Sequence, residues 1–316
     1  MWTRLSRYTD RSTRLYNKVH KSIMTPTLII IFNRPEKTQK LIEALAKIRP
    51  AQLFISADGP RANVPSDAAR CAETRKIVQN IPWPCTIHTN FSDTNLGCKK
   101  GVSSAITWFF SQVESGIILE DDCIPSPSFF PFCTELLERY KNDNRIMHIG
   151  GTTFLEPKET SKPDDSYHFS KIPHIWGWAT WKRAWNLYDI EMRGIDALNN
   201  LDRSAFKKPS HAQFWINLFK HVRDKKIDTW DAQWVYSITA NKGLSITPTV
   251  NLIENIGFDT EATHTQVRNH LADAACDINT PLVHPIQIET DMIADEKLMK
   301  KAYIRSFWQK IREVML

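Results

Sequence analysis

The first 120 residues alternate apolar or β-branched runs with segments of helical spacing, and this alternation restricts the fold more than any other feature. The runs predict buried strands at residues 27–32, 52–56, 85–89 and 117–119. Apolar residues at helical spacing predict helices between them, at residues 36–48, 66–79 and 101–113. Repeated strand–helix alternation forms right-handed β-α-β units. The sequence therefore predicts an α/β fold with a mainly parallel, Rossmann-like sheet flanked by helices.

Three consecutive acids, Glu120, Asp121 and Asp122, follow the fourth predicted strand. Like charges repel, and a packed core does not tolerate unpaired carboxylates. The usual reason to hold carboxylates together at a strand end is a divalent cation of the Mg²⁺ or Mn²⁺ kind, which binds one or two carboxylates and substrate phosphate oxygens. The triplet therefore predicts a metal and phosphate site, and a solvated acidic turn is the alternative.

Polar residues also follow the first two predicted strands. Asn33 and Arg34 come after the first strand and Asp58 after the second. Parallel sheets bind ligands at the carboxyl ends of their strands, so we expect these side chains to lie near the acidic triplet. The sequence contains neither G-x-G-x-x-G after the first strand nor G-x-x-x-x-G-K-[ST] anywhere, so a dinucleotide fingerprint and a P-loop are both absent. A nucleotide would therefore be held by a metal and side chains.

The second half of the chain shows a different pattern. It predicts strands at 145–151 and 244–250, and helices at 129–140, 182–187 and 203–223. A further helix is predicted to end at Ala240, with Asp228 or Thr229 as its N-cap. Residues 255–265 predict a loop, and residues 295–316 predict a basic amphipathic helix that binds a membrane surface or docks on the fold.

The positive charge is concentrated at the amino terminus. Residues 1–24 carry six Lys or Arg against one Asp, which accounts for +5 of the formal net charge of +6. The basic residues recur every three or four positions, opposite an aromatic-rich apolar face, as in an interfacial membrane helix. A helix docked on the protein's own core and a removable transit peptide are the alternatives. Because the remaining chain is nearly neutral, nucleic acid is not expected as a partner.

The composition otherwise fits a globular protein of the cytosol. No apolar run approaches the roughly 20 residues of a membrane-spanning helix, and the amino terminus lacks the apolar segment of a signal peptide. The six cysteines are scattered without a C-x-x-C pair. This spacing argues against a zinc site or a disulfide framework and fits a reducing compartment.

The ordered motifs resemble those of a known family. The chain is similar to GT-A glycosyltransferases, in particular to the N-acetylglucosaminyltransferase I-like enzymes and the bacterial hemolytic-protein-like proteins. The resemblance covers roughly residues 26–265 and rests on five short segments, at 29–35, 55–58, 118–122, 175–178 and 230–231. It implies a GT-A type fold and an enzyme that uses a nucleotide-diphospho-sugar.

The resemblance assigns the donor nucleotide to the ends of the first two strands. Arg34 matches an Arg that contacts the donor nucleotide, and Asn33 is assigned to the donor with it. Asp58 matches an Asp that hydrogen-bonds uracil. From the residues alone, a surface salt bridge is the alternative for Arg34, and an Asp-Gly-Pro turn is the alternative for Asp58.

The resemblance also assigns the acids. Asp122 matches the last acid of a D-x-D variant, which binds Mn²⁺ directly, and Glu120 and Asp121 match acids that contact ribose and donor sugar. Asp231 matches the general base in the family pattern W-D-x-W. Here the pattern is one residue longer, at 230–234, which puts the second Trp in doubt and, less severely, the base. A helix N-terminal acid favoured by the dipole is the alternative for Asp231.

Three further residues are candidates for donor contacts. Trp176 and Trp178 flank Gly177 and can floor a donor-sugar pocket, with core packing as the alternative. His264 lies in the predicted loop and can contact phosphate when that loop closes, with an ordinary loop His as the alternative.

These observations together predict an inverting, metal-dependent glycosyltransferase. It would use Mn²⁺ or Mg²⁺ and a nucleotide-sugar, with UDP favoured, and a glycan or glycolipid acceptor of the cell surface. We expect a cytoplasmic enzyme bound peripherally to an anionic membrane. The domains are a basic arm at 1–24, a GT-A domain at 25–270, divided at 125 into donor and acceptor halves, and a helical extension at 271–316. A sugar nucleotidylyltransferase and a non-catalytic, membrane-lytic protein are the alternatives.

Overall fold

The computed structural model describes residues 25–196, 208–258 and 274–304. The predictions for the arm at 1–24, for His264 and for the helix beyond residue 304 lie outside the described residues. Within these ranges, no helix combines the length and apolar character needed to cross a bilayer.

The central sheet of the described chain is built from eight strands. They are β1 (Thr27–Ile31), β2 (Gln52–Ala57), β3 (Thr86–Phe91), β4 (Ser115–Glu120), β6 (Ile146–Gly150), β7 (Tyr167–Ser170), β8 (Trp178–Trp181) and β9 (Leu244–Pro248). Their order across the sheet is β3-β2-β1-β4-β8-β6-β9-β7. Two short strands, β5 (Cys123–Pro125) and β10 (Ile253–Asn255), pair with each other outside this sheet.

Six of the eight strands run in one direction. β1 pairs in parallel with β2 and β4, β2 pairs in parallel with β3, and β6 pairs in parallel with β9. β8 is antiparallel to its neighbours β4 and β6, and β7 is antiparallel to β9. This mainly parallel sheet confirms the predicted α/β fold class, the class to which GT-A folds belong.

Helices cover the sheet and connect its strands. They are α1 (Pro35–Ile48), α2 (Pro65–Gln79), α3 (Gly97–Gln112), α4 (Phe129–Arg139), α5 (Lys182–Trp185), α6 (Pro209–Arg223), α7 (Asp231–Ala240) and α8 (Met292–Leu298). A π-helical turn, Met299–Ile304, continues α8. Proline opens α1, α2 and α6 because its missing N–H and fixed φ suit the first helical turn.

The strand register brings the predicted polar segments to one edge. Ile30 in β1 lies opposite Glu120 in β4, and Ile31 lies opposite Ala57 in β2. The carboxyl ends of these three strands therefore lie side by side, because parallel neighbours end at the same edge. β1 and β4 are almost wholly buried and apolar, as strands covered on both faces must be.

The structure differs from the sequence prediction at a few boundaries. α3 begins at Gly97 rather than residue 101, and Gly97 has φ +77°, which a glycine adopts without steric cost. β4 extends to Glu120, so that the first acid belongs to the strand. α7 begins at Asp231, and its N-cap position is occupied by Trp230 rather than Asp228 or Thr229. The strands β5, β7, β8 and β10 were not predicted.

Candidate active site

The acidic triplet lies where β4 leaves the sheet. Asp121 is only 3% exposed, although it follows the strand directly. Burial raises the pKa of Glu120 and of Asp121 above the ordinary carboxyl range, and the charge of Asp122 adds to both shifts. The strand end therefore crowds three carboxyl groups in a place where burial and mutual repulsion disfavour their ionised forms.

Arg34 binds two members of the triplet. Its Nη1 lies 2.8 Å from Asp122 Oδ2 and 3.2 Å from Asp121 Oδ1. Burial by itself would lower the pKa of Arg34, but the charges of Asp121 and Asp122 raise it above its ordinary value. The structure thus brings together the ends of β1 and β4 as predicted, and Arg34 holds the carboxylates in place.

The backbone at Gly257 closes over Asp122. The N–H of Ile256 donates to the carbonyl of Asp122 at 2.9 Å, and an added Cβ at Gly257 would lie 2.4 Å from Asp122 Oδ2. No side chain fits in this gap without moving its neighbours. The segment after β10 therefore packs closely on the Asp122 carboxylate, which the resemblance assigns to the metal.

The donor set suits a hard cation that keeps other ligands. No three His, Cys, Asp or Glu side chains of the described ranges converge to form a cage. Cations of the Mg²⁺ type use one or two carboxylates together with waters and substrate phosphates. The Asp122 side chain is 18% exposed, so its carboxylate is accessible to such a cation. The residues present therefore fit a cation held jointly by Asp122 and a phosphate.

Asp58 is already occupied by the backbone at the start of α3. Its Oδ1 accepts from Gly59 N–H and Leu96 N–H, each at 2.8 Å. Its Oδ2 accepts from Asn95 Nδ2 at 3.0 Å and from Gly97 N–H at 3.2 Å. These bonds satisfy N–H groups at a helix N-terminus. They also explain why α3 starts earlier than predicted, and they favour the turn alternative for Asp58.

Asn33 faces α2 rather than the triplet. Its Nδ2 donates to Asp67 Oδ1 at 2.8 Å, and its carbonyl accepts from Arg70 Nε at 2.8 Å. Asp67 is buried and also binds Arg61 at 2.6 Å, and this hydrogen bond is the main reason that its pKa falls to about 2. The Asn33 side chain thus braces the turn that precedes α1.

Asp231 is the first residue of α7. Its charge contributes to the raised pKa of Glu120. The pKa of Cys98 is raised to about 12, mainly by burial and next by the charges of Glu120 and Asp231. Glu120 and Asp231 are therefore both near enough to Cys98, in the first turn of α3, for their charges to act on its thiol.

The two tryptophans have different surroundings. Trp178 is 1% exposed and stacks on His148 and Trp230, with ring centroids 5.0 and 5.8 Å away. Trp176 is half-buried, and its ring meets the edge of Phe258 at 5.4 Å. The burial of Trp178 favours core packing, and Trp176 remains a candidate for donor contact.

Sequence reasoning gave several residues of this region no role in the site. Gly257 packs on Asp122, and Thr229 donates a hydrogen bond to Asp231. Asp228 lies 4.0 Å from the position of an added Cβ at Gly97. Only Asp228 and Thr229 stood out in the sequence, as candidate N-caps, and the contact of Gly257 depends on tertiary structure.

Comparison with known proteins assigns no family. No family profile and no curated protein matches the chain. The chain is similar to mouse xyloside xylosyltransferase 1, with a TM-score of 0.33 and 12% identity, covering 68% of this chain and 80% of that one. It is also similar to a UDP-glucose pyrophosphorylase complexed with UDP-glucose, with a TM-score of 0.31 and 11% identity, covering 52% of this chain and 79% of that one. For 4-diphosphocytidyl-2C-methyl-D-erythritol synthase from Anaerococcus prevotii, the TM-score is 0.33 and the identity 8%, covering 70% of this chain and 87% of that one. At such scores the class rests on the sheet itself: an α/β protein with an acidic site at its carboxyl edge.

Proposed function

We propose that the protein is an inverting glycosyltransferase. It transfers a sugar from a nucleotide-diphosphate donor, with UDP favoured, to a hydroxyl group of a glycan or glycolipid. One observation carries the proposal. Two separate acidic elements, the strand-end triplet held by Arg34 and Asp231 on α7, lie near enough for the charge of Asp231 to act on Glu120. An inverting transfer needs this division, because one acid serves the leaving diphosphate and another serves the acceptor.

The two elements have different tasks in this reaction. Asp122 would hold a Mn²⁺ or Mg²⁺ ion, which would supply positive charge for the departing diphosphate. Arg34 is close enough to Asp122 to bind the same phosphates. Asp231 accepts the proton of the acceptor hydroxyl while that oxygen forms a bond to the anomeric carbon. The bond from the anomeric carbon to the diphosphate breaks on the opposite face, and configuration inverts.

The proposal extends to the acceptor and the location of the enzyme. The basic residues of segment 1–24 suit a cytoplasmic protein bound to an anionic leaflet, where a growing surface glycan or glycolipid is anchored. Glu120, Asp121 and Trp176 are then donor contacts. His264, in the segment beyond Phe258, is proposed to contact phosphate from its position in the sequence alone.

A thermal-shift screen tests the donor site. UDP, GDP, CDP, ADP and dTDP are each added with Mn²⁺ and with EDTA. Binding at about 100 times the dissociation constant adds about 2.7 kcal/mol to the free energy of unfolding. We expect a rise in melting temperature with one nucleotide, which needs the metal and disappears in Asp122→Asn. Asp164→Asn, in an exposed loop, is the matched control and keeps the shift.

Turnover then separates the remaining classes. Release of free nucleoside diphosphate from the nucleotide-sugar with an acceptor supports transfer. Release of sugar 1-phosphate with pyrophosphate consumption indicates a nucleotidylyltransferase. The absence of any nucleotide shift in the wild-type protein contradicts the proposal and leaves the membrane-lytic alternative.

A further inference from the structure

The two oxygens of the Asp231 carboxylate have different surroundings. Oδ1 accepts a hydrogen bond from the hydroxyl of Thr229 and another from the backbone N–H of Ala232, at 2.7 Å. Oδ2 accepts none from the described residues. We infer that Thr229 is a positioning residue, which fixes the Asp231 carboxylate so that Oδ2 receives the acceptor proton. The inference rests on the proposed function, since it assigns a role within that site.

The backbone next to Thr229 is held in place by the contacts of Trp230, so the Thr229 hydroxyl has a fixed position from which to orient Asp231. The hydroxyl of Tyr188 donates to the carbonyl of Trp230 at 3.1 Å. The Trp230 ring is buried and stacks on Trp178 at an interplanar angle of 19°. The residue between Thr229 and Asp231 is thus held in the core. The Thr229 hydroxyl then needs to fix only the rotation of the carboxylate.

A neutral donor suits a carboxylate that must accept a proton. In the described chain, the charge of Asp231 acts on four titratable groups: Glu120 from β4, Cys98 from α3, Tyr188 from the segment after α5 and Tyr303 from the turn after α8. None of these four is a cation, although Asp228 and the cation Arg34 also act on the Cys98 thiol. A Lys or Arg partner would also orient the carboxylate, but its charge would weaken the carboxylate as a base. The Thr229 hydroxyl orients Asp231 without adding a charge.

The test compares Thr229→Val with Thr229→Ser in the full-length protein. Val has the same shape but lacks the hydroxyl. We expect kcat for sugar transfer to fall about tenfold or more, because misplacing a catalytic group by a fraction of an ångström has an effect of that order. The KM for the nucleotide-sugar and the melting shift with nucleotide and Mn²⁺ stay at wild-type values. Thr229→Ser restores kcat, because serine keeps the donor.

The pH profile gives a readout that a merely structural role would not move. A carboxylate that loses a hydrogen bond holds its proton more strongly. The acid limb of the kcat profile of Thr229→Val therefore moves to higher pH, and that of Thr229→Ser stays in place. Thr239→Val, within α7, is the matched control, because among the described residues the Thr239 hydroxyl donates to the Val235 carbonyl, at 2.8 Å, and not to Asp231. It keeps both kcat and the pH profile.

A double-mutant cycle completes the test. If Thr229 acts through Asp231, Thr229→Val causes no further loss of kcat in an Asp231→Asn background, since the two residues act as one unit. Wild-type kcat in Thr229→Val overturns the inference, as does an equal loss in both backgrounds. A loss of the nucleotide shift in Thr229→Val shows a structural role and also overturns it. These outcomes leave the proposed function intact, whereas a wild-type protein that binds no nucleotide defeats both.

Discussion

At the scale of single residues, the contact between Gly257 and Asp122 gives a direct test of the site. An added Cβ in Gly257→Ala would lie 2.4 Å from Asp122 Oδ2 and 2.9 Å from Asn255 Oδ1. Either the backbone or the Asp122 carboxylate must therefore move. Overpacking of this kind costs about 1–3 kcal/mol of stability. We expect a modest fall in the melting temperature of the free protein and a large loss of the shift caused by nucleotide and Mn²⁺.

Gly150→Ala is the comparison that separates the site from general crowding. At Gly150 an added Cβ would lie 3.4 Å from the carbonyl oxygens of His174 and Ile246, which is ordinary contact. This variant keeps the nucleotide shift. A Gly257→Ala protein with a wild-type nucleotide shift would show that the position of Asp122 does not matter for binding.

At the scale of the elements, the antiparallel strand β8 and helix α7 meet around a buried histidine. His148 Nε2 donates to the carbonyl of His174 at 2.9 Å, and His148 Nδ1 accepts from Trp234 Nε1 at 3.1 Å. The neutral His148 ring therefore uses both nitrogens in hydrogen bonds. A second proton, on Nδ1, would point at the indole N–H of Trp234 and break that hydrogen bond. Burial lowers the pKa of His148 to about 3 and that of His174 to about 3.

These histidines make the fold sensitive to acid. In the unfolded chain a histidine has a pKa of about 6.5, so between roughly pH 3 and 6.5 the unfolded state binds protons that the folded state does not. The free energy of unfolding therefore falls as the pH drops below about 6.5, by up to about 1.4 kcal/mol per pH unit for each histidine. His148→Gln keeps a donor and an acceptor, and we expect it to reduce this slope by about one such contribution.

Urea unfolding at pH 7, 6 and 5 measures the slope. His221→Gln, on the exposed side of α6, is the control and leaves the slope unchanged. If His148→Gln and wild type lose stability in parallel between pH 6 and 5, His148 is not a source of the acid sensitivity.

The elements also show what the sequence can predict and why. β1, β2 and β4 are apolar because both faces are covered, so they are recognisable without any tertiary information. Their parallel arrangement then places Arg34 beside the acidic triplet. β7 contains His168 in a buried position, and β5 and β10 have three residues each, so that none of these shows a local pattern. Their existence depends on pairing between distant segments.

The same limit applies to the candidate site. The proximity of the triplet to Arg34 follows from topology and was predictable. The use of Asp58 by the start of α3 and the burial of Trp178 were not, because both depend on partners far along the chain. Polar residues at strand ends indicate where a site lies. Which of them remain open to a ligand depends on the hydrogen bonds that the fold has already formed.

At the scale of the whole molecule, the distribution of charge separates membrane binding from catalysis. Segment 1–24 carries +5 of the net +6, so the protein without it is nearly neutral. Each Lys or Arg near an anionic leaflet contributes about 1 kcal/mol of attraction, and salt screens this attraction over a Debye length of about 10 Å at 0.1 M. We expect the full chain to sediment with vesicles that contain anionic lipid, and to be released as ionic strength rises.

Protein lacking residues 1–24 should remain in the supernatant with the same vesicles. It should nevertheless keep its nucleotide shift with Mn²⁺, because the triplet, Arg34 and Asp231 all lie outside residues 1–24. Vesicles of neutral lipid are the control for binding that depends only on the apolar residues of segment 1–24 and not on its charge. If both proteins sediment equally with anionic vesicles, the amino-terminal segment is not the anchor, and the basic residues of segment 295–316 are the next to be removed.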